Sequence, residues 1–416
     1  MKQDWEVRSL AEIAAINGGK RVPKGYRLGN KPTNYPYIRV TDFNDNGSVD
    51  LNDIHYINEA VFAQIKKYTI SKNDLYISIA GTIGKTGIIP DVLDGANLTE
   101  NACKLVFKEG VDPRFIYYFT KTEDFIKQAG LNTRVAAMPK LALTRLSTIS
   151  LLFPTSLHEQ QRIVAILDEA FNAIARAKAN AEQNLKNARE LFESYLNNMF
   201  ENKGGGWQAK TLKDITAKIG SGATPRGGNG SYKTEGVSLV RSMNVHDFSF
   251  RERNLAFIDD QQAKELNNVT LQENDVLLNI TGASVARCCV MPKEYLPARV
   301  NQHVSIVRAR KEMIDPFFLN LLLTSKFYKD QLLFTGEQGA TRQAITKAQL
   351  EAFKVSFPKS LTEQQILVQK LDALSAKTKK LEAVYQQKIA DLEELKKSLL
   401  QKAFNGELKT AELAAL

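Results

Sequence analysis

The chain is a tandem duplication, and no other feature constrains its fold as strongly. Matching segments recur at an offset of 201 to 204 residues along the 416-residue sequence. Trp5 opens WEVRSLAEI as Trp207 opens WQAKTLKDI, and Pro154 in SLLFPTSLHEQQ matches Pro358 in KVSFPKSLTEQQ. Three further anchors keep the offset: Arg39 and Arg241, Asn73-Asp74 and Asn274-Asp275, Asp112-Pro113 and Asp315-Pro316. Repeats of about 200 residues are too long for solenoid units, so the pattern predicts a duplicated domain.

Each copy begins with about 150 residues typical of a mixed α/β domain. Short runs of β-forming residues, such as 35–40, 75–80 and 276–280, alternate with glycine, proline and asparagine. A shorter helical pattern then follows Asp-Pro in each copy, at FIYYFTKTEDFIKQ and FFLNLLLTSKFYKDQ. We therefore expect two globular domains of the same topology.

A long helix is predicted to close each copy. Residues 158–200 and 362–404 contain neither glycine nor proline, and apolar residues recur there every three or four positions. Such a sustained stripe predicts a helix of about 65 Å with a coiled-coil seam. Candidate N-caps are Ser156 or Thr155 and Ser360 or Thr362, and candidate stops are Gly204 to Gly206 and Gly406.

The two helices are predicted to pack against each other, because neither can cover so long an apolar stripe alone. The predicted fold is α+β: two pseudo-symmetric mixed α/β domains separated by two long helices packed as an antiparallel coiled coil. The predicted boundaries are 1–155, 156–203, 204–359 and 360–416. The alternative is two independent domains, each covering its own helix.

Composition indicates the partner class but no metal site. A net charge of +10 and a pI near 9.2 favour a polyanion such as nucleic acid. The sequence shows neither a secretory signal nor a membrane span, which predicts a soluble, cytoplasmic protein. The cysteines (Cys103, Cys288 and Cys289) and the four histidines follow no metal-ligand spacing, and the cysteines are expected to be buried free thiols.

No motif in the chain predicts catalysis. Gly81-Thr-Ile-Gly84-Lys85-Thr86 resembles a phosphate-binding loop, but its first glycine lies only three residues before Gly84. The second copy lacks the motif, so we expect a glycine turn that presents Lys85 or Arg287 to a ligand. Methyltransferase loops and recurring nuclease carboxylates are also missing. A nuclease or methyltransferase with an unrecognised site is the enzymatic alternative.

Basic residues on turns recur in both copies and are the candidate DNA contacts. Such residues bind phosphates and read guanine, while Asn44, Asn244 and Gln343 are candidates for reading adenine. For each single residue, a solvated surface charge is the alternative. The set is Lys20, Arg21, Lys24, Arg27, Arg39, Lys85 and Arg134 in the first copy, and Arg226, Lys233, Arg241, Arg287, Arg299 and Arg342 in the second.

These features together resemble the specificity (S) subunit of type I restriction-modification enzymes over essentially the whole chain. The resemblance rests on the duplicated Trp…Leu…Ile opening, Arg39 and Arg241 after a strand, and Pro-x-x-x-x-Glu-Gln-Gln before a long helix. The turn Gly222-Ala-Thr-Pro225 and the closing Gln401-Lys-Ala-Phe-Asn-Gly-Glu-Leu408 add to it. The first copy departs at the turn, with Gly19-Lys-Arg-Val-Pro23.

The resemblance implies a non-catalytic DNA-binding subunit. Each globular half would be a target recognition domain that reads one half of a bipartite double-stranded DNA site, and the helices would set the spacing and dock modification (methyltransferase) subunits. S-adenosylmethionine, ATP and Mg would be bound by those subunits and by a restriction (motor-nuclease) subunit. The alternative is an assembly protein whose coiled coil holds two protein-binding modules apart.

Polar residues at the start of each long helix are candidates for partner contacts. They could equally be residues that the helix dipole favours at an N-terminus. They are Glu159, Gln160, Gln161, Glu363, Gln364 and Gln365.

Overall fold

The computed structural model describes residues 4–131, 140–202, 205–337 and 344–408. The described residues of the first copy form ten strands and five short helices, followed by one long helix. The elements are β1 Trp5–Ser9, α1 Leu10–Ile13, β2 Ala14–Gly18, β3 Pro36–Ile38, β4 His55–Tyr56, α2 Glu59–Ile65, β5 Thr69–Ile70, β6 Leu75–Ser78, β7 Thr86–Ile88, β8 Ala96–Leu98, β9 Ala102–Phe107, α3 Pro113–Phe119, α4 Glu123–Ala129, α5 Leu143–Thr148, β10 Ser150–Pro154 and α6 Leu157–Glu201.

In its described residues, the second copy repeats this order without a counterpart of β5, and it has a small additional hairpin (β14 and β15) and a longer helix α10. Its elements are β11 Trp207–Thr211, α7 Leu212–Ile215, β12 Thr216–Ser221, β13 Val237–Val240, β14 Val245–His246, β15 Ser249–Phe250, β16 Ala256–Ile258, α8 Asp260–Glu265, β17 Val276–Asn279, β18 Cys288–Val290, β19 Ala298–Val300, β20 Val304–Ala309, α9 Pro316–Thr324, α10 Lys326–Glu337, α11 Lys347–Ala352, β21 Lys354–Pro358 and α12 Leu361–Phe404.

The strand pairing is nearly the same in both copies, although within the described ranges only the first has an edge strand equivalent to β5 and only the second has the hairpin β14-β15. A four-stranded antiparallel sheet has the order β2-β9-β6-β7 in the first copy and β12-β20-β17-β18 in the second. A second sheet contains one parallel pair, β3 with β8 and β13 with β19. The first and last strands of each domain pair antiparallel, β1 with β10 and β11 with β21. This shared pairing confirms the predicted duplication at the level of topology.

The Asp-Pro dipeptides begin helices α3 and α9, as the sequence predicts. The Asp112 carboxylate accepts hydrogen bonds from the backbone N–H groups of Arg114 and Phe115, and Asp315 does the same for Phe317 and Phe318. Proline follows at the first helical position, where its missing N–H costs nothing. The two segments therefore begin helices by the same local chemistry.

The long helices span Leu157–Glu201 and Leu361–Phe404, close to the predicted ranges. Ser156 and Ser360 are the N-caps, because their hydroxyls accept from the N–H groups of Glu159 and Glu363 at 3.4 and 3.3 Å. Gly406 follows α12 with φ +71°, a conformation that costs glycine little.

The chain forms two compact units whose limits differ from the predicted domain boundaries. One unit contains residues 1–181 and 387–416, and the other contains residues 182–386. Each unit therefore combines one globular domain with one part of each long helix. The predicted boundaries lie at the helix ends, whereas the packing divides each long helix between the two units.

The helices run antiparallel within each unit. In the first unit, Lys178 of α6 pairs with Glu393 of α12 at 2.5 Å, and Arg162, earlier in α6, donates to the Leu408 carbonyl at 3.4 Å. In the second, Arg189 pairs with Glu382 at 3.2 Å. The antiparallel pairing is thus confirmed, and it is not the only contact that covers the helices.

Each domain core also contains helix residues. In the first unit, Ile163 and Leu167 of α6 join the domain core, where Phe404 of α12 lies 4.8 Å from Phe115 between ring centroids. In the second unit, Phe200 of α6 lies 5.6 Å from Phe318. The start of one helix and the end of the other therefore complete each core.

Gln160 and Gln364 are fully buried, so the expectation that they contact partners is wrong for these two residues. The Gln160 amide accepts from the Asp112 N–H at 2.8 Å and donates to the Gly110 and Pro154 carbonyls at 3.0 Å. Gln364 makes the same three bonds, accepting from Asp315 and donating to the Met313 and Pro358 carbonyls. Each amide therefore ties its long helix to its domain.

We expect Arg308→Leu to destabilise the second domain by about 3 kcal/mol, because it leaves a buried carboxylate without its cation. Asp275 is 1% exposed, and Arg308 contacts both of its oxygens at 2.7 and 2.8 Å. Chemical unfolding monitored by circular dichroism measures the change. The double variant D275N/R308L should regain part of the loss, and a double variant less stable than R308L would contradict the explanation.

Candidate nucleic-acid interface

Four loop segments meet at one edge of the first domain, which we call the first loop edge. They are residues 19–35, 39–53, 79–85 and 99–101. Backbone bonds hold two of them at the start of β9: the Gly19 N–H donates to the Ala102 carbonyl at 2.9 Å, and the Ala80 N–H donates to the Asn101 carbonyl at 3.1 Å. The Lys85 ammonium donates to the Phe43 carbonyl at 2.9 Å. The strands of the mixed sheets thus bring these distant segments together.

The second domain has an equivalent edge, the second loop edge, made of residues 221–236, 241–254, 280–287 and 301–303. The Gly222 N–H donates to Asn301 at 3.1 Å, and the Ile280 N–H donates to His303 at 3.0 Å. The buried Asn279 amide donates to the Ser242 carbonyl at 2.9 Å. The two edges are built in the same way from corresponding segments.

The glycine turn predicted at residues 81–84 is present between β6 and β7. Gly81 and Gly84 have φ of +75° and +90°, and a Cβ at Gly84 would lie 2.8 Å from Leu131. Both positions favour glycine for conformation, and only Gly84 is also restricted in space. Lys85, which follows the turn, pairs with Asp45 at 3.1 Å, so its charge is partly neutralised.

Most predicted DNA contacts lie on the loop edges, and they differ in whether an acidic side chain pairs with them. Lys24, Arg27 and Arg226 are exposed and form no ion pair with any residue that the structure describes. Arg21 pairs with Glu100 at 2.5 Å, and Lys233 pairs with Asp259 at 3.3 Å.

Lys20, at the start of the loop formed by residues 19–35, lies near an aromatic ring. Its ammonium is 5.7 Å from the centroid of the Tyr68 ring, while its side chain is exposed. Cation–π contacts at exposed sites are weak, so Lys20 keeps its charge available to a ligand.

Arg39 and Arg241 hold loops in place instead of extending freely. Arg39 contacts Asp42 at 2.6 Å and Asp53 at 3.0 Å, and the hydrogen bond to Asp42 raises the pKa of its guanidinium. Arg241 donates to the Asn254 carbonyl at 2.5 Å and lies 5.2 Å from the Tyr232 ring centroid. Both arginines fix the segment that follows the central strand of the second sheet, which is β3 in the first domain and β13 in the second.

Arg299 is a correction to the predicted set. It is 9% exposed and donates to the Ala263 and Ala298 carbonyls at 3.2 and 3.1 Å. Burial lowers the pKa of its guanidinium. Because β19 is a buried strand paired with β13, this side chain cannot reach DNA, and it leaves the set of proposed contacts.

The amides proposed to read adenine have structural roles. The Asn44 side chain accepts from the backbone N–H groups of Asn46 and Ser48. Asn244 is fully buried, and its amide accepts from the Arg241 N–H and donates to the Arg251 carbonyl. Gln343, Arg134 and Arg342 lie outside the described residues.

Sequence reasoning missed a cavity of about 810 Å³ at the second loop edge. The side chains that give it chemistry are Ser242, Thr281, Ser284, Arg287 and His303. Arg287 is half-buried and forms no ion pair within the described part of the chain. Only Arg287 was visible as a candidate, because isolated hydroxyls carry no sequence signal.

A cluster of positive charge lies beside this cavity. The pKa of His246 is lowered, first by burial and then by the guanidinium groups of Arg251 and Arg287. Arg251 is exposed and also forms no ion pair with a described residue. Adjacent cations that lack acidic partners favour an anionic ligand.

The remaining reactive groups do not suggest catalysis. Cys103, Cys288 and Cys289 are buried free thiols as predicted, and burial raises the pKa of Cys103 to about 12. Within the described ranges, no three His, Cys, Asp or Glu residues are placed to hold a metal. The described helices also include none that is long and apolar enough to cross a bilayer.

Comparisons with known proteins assign the family. The profile of the type I restriction modification DNA specificity domain matches residues 2–187 and again residues 204–393. A chain of Methanocaldococcus jannaschii assigned as the MjaX type I specificity subunit is 23% identical, covering 98% of this chain and 94% of that one. The EcoKI specificity subunit of Escherichia coli K12 is 21% identical, covering 98% and 90%.

Solved structures show the same fold. One, from work on complex assembly and conformational transition of the type I R-M system, has a TM-score of 0.76 at 18% identity and covers 98% of this chain and 99% of that chain. The HsdS subunit from Thermoanaerobacter tengcongensis has a TM-score of 0.67 at 19% identity, with 98% of each chain covered.

The family profile covers both copies together with most of their long helices. A scaffold that only holds two protein-binding modules apart does not account for this match. The chain therefore belongs to the type I restriction-modification specificity family, as the non-catalytic subunit that gives such a system its DNA sequence specificity.

Proposed function

We propose that each target recognition domain reads one half of a bipartite double-stranded DNA site through its loop edge. The observation that carries the proposal is the duplication of that edge, with the same four segments in both copies. Loops that present lysine, arginine, hydroxyl and backbone N–H groups can bind phosphates and contact base edges. Two such edges in one chain would give two half-sites.

The long helices would set the distance between the half-sites and dock the modification subunits. Exposed polar positions near their N-termini, Gln161 and Gln365 among them, remain candidates for those contacts. The modification subunits would bring S-adenosylmethionine for adenine methylation, and a restriction subunit would bring ATP and Mg. The assembly would act in the cytoplasm, where the host DNA lies.

The test is to express this chain with a candidate modification subunit and map methylated adenines across the host genome. A bipartite motif with a gap of fixed length, lost when this chain is omitted, is the expected result. Co-purification of the subunits without any such motif would refute half-site reading by these domains. Failure of the subunits to associate would refute the docking role for that partner.

A further inference from the structure

The two loop edges carry their positive charge on different segments. In the first domain, the loop before the central strand (residues 19–35, the leading loop) holds five cations and no acidic residue. The corresponding leading loop of the second domain, residues 221–236, holds two cations and one acid. The segment with the greatest positive charge in one copy is therefore weakly charged in the other.

The segment after the central strand, which we call the hairpin segment, shows the opposite distribution. Residues 39–55 of the first domain contain four aspartates and one arginine. Arg39 is engaged by Asp42 and Asp53, and Lys85, which packs on this segment, is engaged by Asp45. A phosphate approaching here would meet carboxylates whose neighbouring cations are already paired.

In the second domain, the hairpin segment is basic. Residues 241–254 contain three arginines and two acids. One acid, Asp247, pairs with Lys329 and accepts from the Cys288 N–H at 3.2 Å, so it does not neutralise the arginines. Arg251 and Arg253 are exposed without a described ion pair, and Arg287 lies close enough to act on the same histidine as Arg251.

The structure of the first leading loop keeps its cations free. A turn at Pro23–Tyr26 is closed by the Tyr26 N–H donating to the Pro23 carbonyl at 3.2 Å, with Gly25 at φ +94° in open space. Lys24 lies within this turn and Arg27 directly follows it, and both are exposed. Only Arg21 of the five cations is in a described ion pair.

We infer that the two domains hold the DNA backbone through non-equivalent loops: the first through Lys24 and Arg27 of its leading loop, the second through Arg251 of its hairpin segment and Arg287 at its cavity. This rests on the proposed function, because it assumes that both loop edges face DNA. The duplicated topology is thus used with two different distributions of phosphate contacts.

The experiment compares variants of the full chain that remove two charges or one while keeping a polar side chain. K24Q/R27Q and R251Q/R287Q change the inferred contacts. R226Q/K233Q and K85Q change the corresponding positions of the other copy. The affinity for a duplex of unrelated sequence is measured between about 50 and 300 mM salt, a range over which phosphate contacts dominate the salt response. Thermal melting by circular dichroism confirms folding.

Removal of one phosphate contact lowers the slope of log affinity against log salt by about 0.9. We therefore expect the slope to fall by about 1.8 in each of K24Q/R27Q and R251Q/R287Q, and by less than about 0.5 in R226Q/K233Q and K85Q. Equal falls in K24Q/R27Q and R226Q/K233Q would overturn the inference, as would a fall of about 0.9, the value for one full phosphate contact, in K85Q.

The outcome is separable from that of the proposed function. If the wild-type chain directs methylation of a bipartite motif, the proposed function stands, whatever salt slopes the variants show. A motif combined with unchanged slopes in both inferred variants would overturn the non-equivalent contacts alone. Wild-type binding without salt dependence, together with no motif, would overturn both.

Discussion

Replacing Gln364 by leucine is expected to lower the free energy of unfolding by about 3–5 kcal/mol, although the two side chains are similar in size. The substitution removes one acceptor and two donor bonds at once. It takes these bonds from the Asp315 N–H and from the carbonyls of Met313 and Pro358, which surround the fully buried side chain. Each unsatisfied buried group costs about 1–3 kcal/mol, and leucine supplies no polar atom in return.

The neighbouring residue offers a matched control. Gln365 is exposed on the same helical turn, so Gln365→Leu should change the unfolding free energy by no more than about 0.5 kcal/mol. Denaturant unfolding followed by far-ultraviolet circular dichroism compares the two. Gln160→Leu and Gln161→Leu repeat the test in the first unit. Equal effects of Gln364→Leu and Gln365→Leu would contradict the assigned role of the buried amide.

The buried glutamines show where sequence reasoning stops. Gln160 and Gln161 are adjacent, identical residues at a helix start, and nothing local separates the buried one from the exposed one. The difference arises because the Gln160 amide meets the Gly110 and Asp112 backbone groups, about fifty positions earlier in the chain. The local sequence pattern does not indicate tertiary contacts between residues so far apart in the chain.

The elements that were predicted from sequence depend on local chemistry. The absence of glycine and proline gave both long helices to within a residue or two at each end, and Asp-Pro gave the starts of α3 and α9. The duplication was visible because its anchors are aromatic, proline or capping residues whose spacing survives divergence. The antiparallel pairing was then predicted because the apolar stripe of each long helix needs a packing partner.

The candidate site was predictable in location but not in the state of its charges. Whether an arginine is free depends on acids far along the chain, as with Arg21 and Glu100. Arg299 was misassigned because a single basic residue in a strand does not reveal that its strand is buried on both faces. The four aspartates of residues 39–55 were visible in the sequence. The contrast with the basic segment of the second copy could be recognised only after the structure showed that the two segments correspond.

Inserting seven residues into both long helices is expected to widen the gap of the recognised DNA site without changing either half-site. Seven residues preserve the apolar seam, because hydrophobic positions in a coiled coil repeat every seven. The insertions belong after Ala181 in α6 and after Gln386 in α12, where the two compact units divide. They leave the Lys178–Glu393 and Arg189–Glu382 pairs intact within their units.

The added length is about 10 Å at about 1.5 Å per residue, which corresponds to about three base pairs at about 3.4 Å each. Mapping methylated adenines in cells that carry the variant and its modification subunit measures the gap directly. The same insertion in α6 alone is the control, because it shifts one stripe past the other and should abolish methylation. A double insertion that methylates the original gap would show that the helices do not set the spacing, since the half-sites would then be positioned by some other part of the assembly.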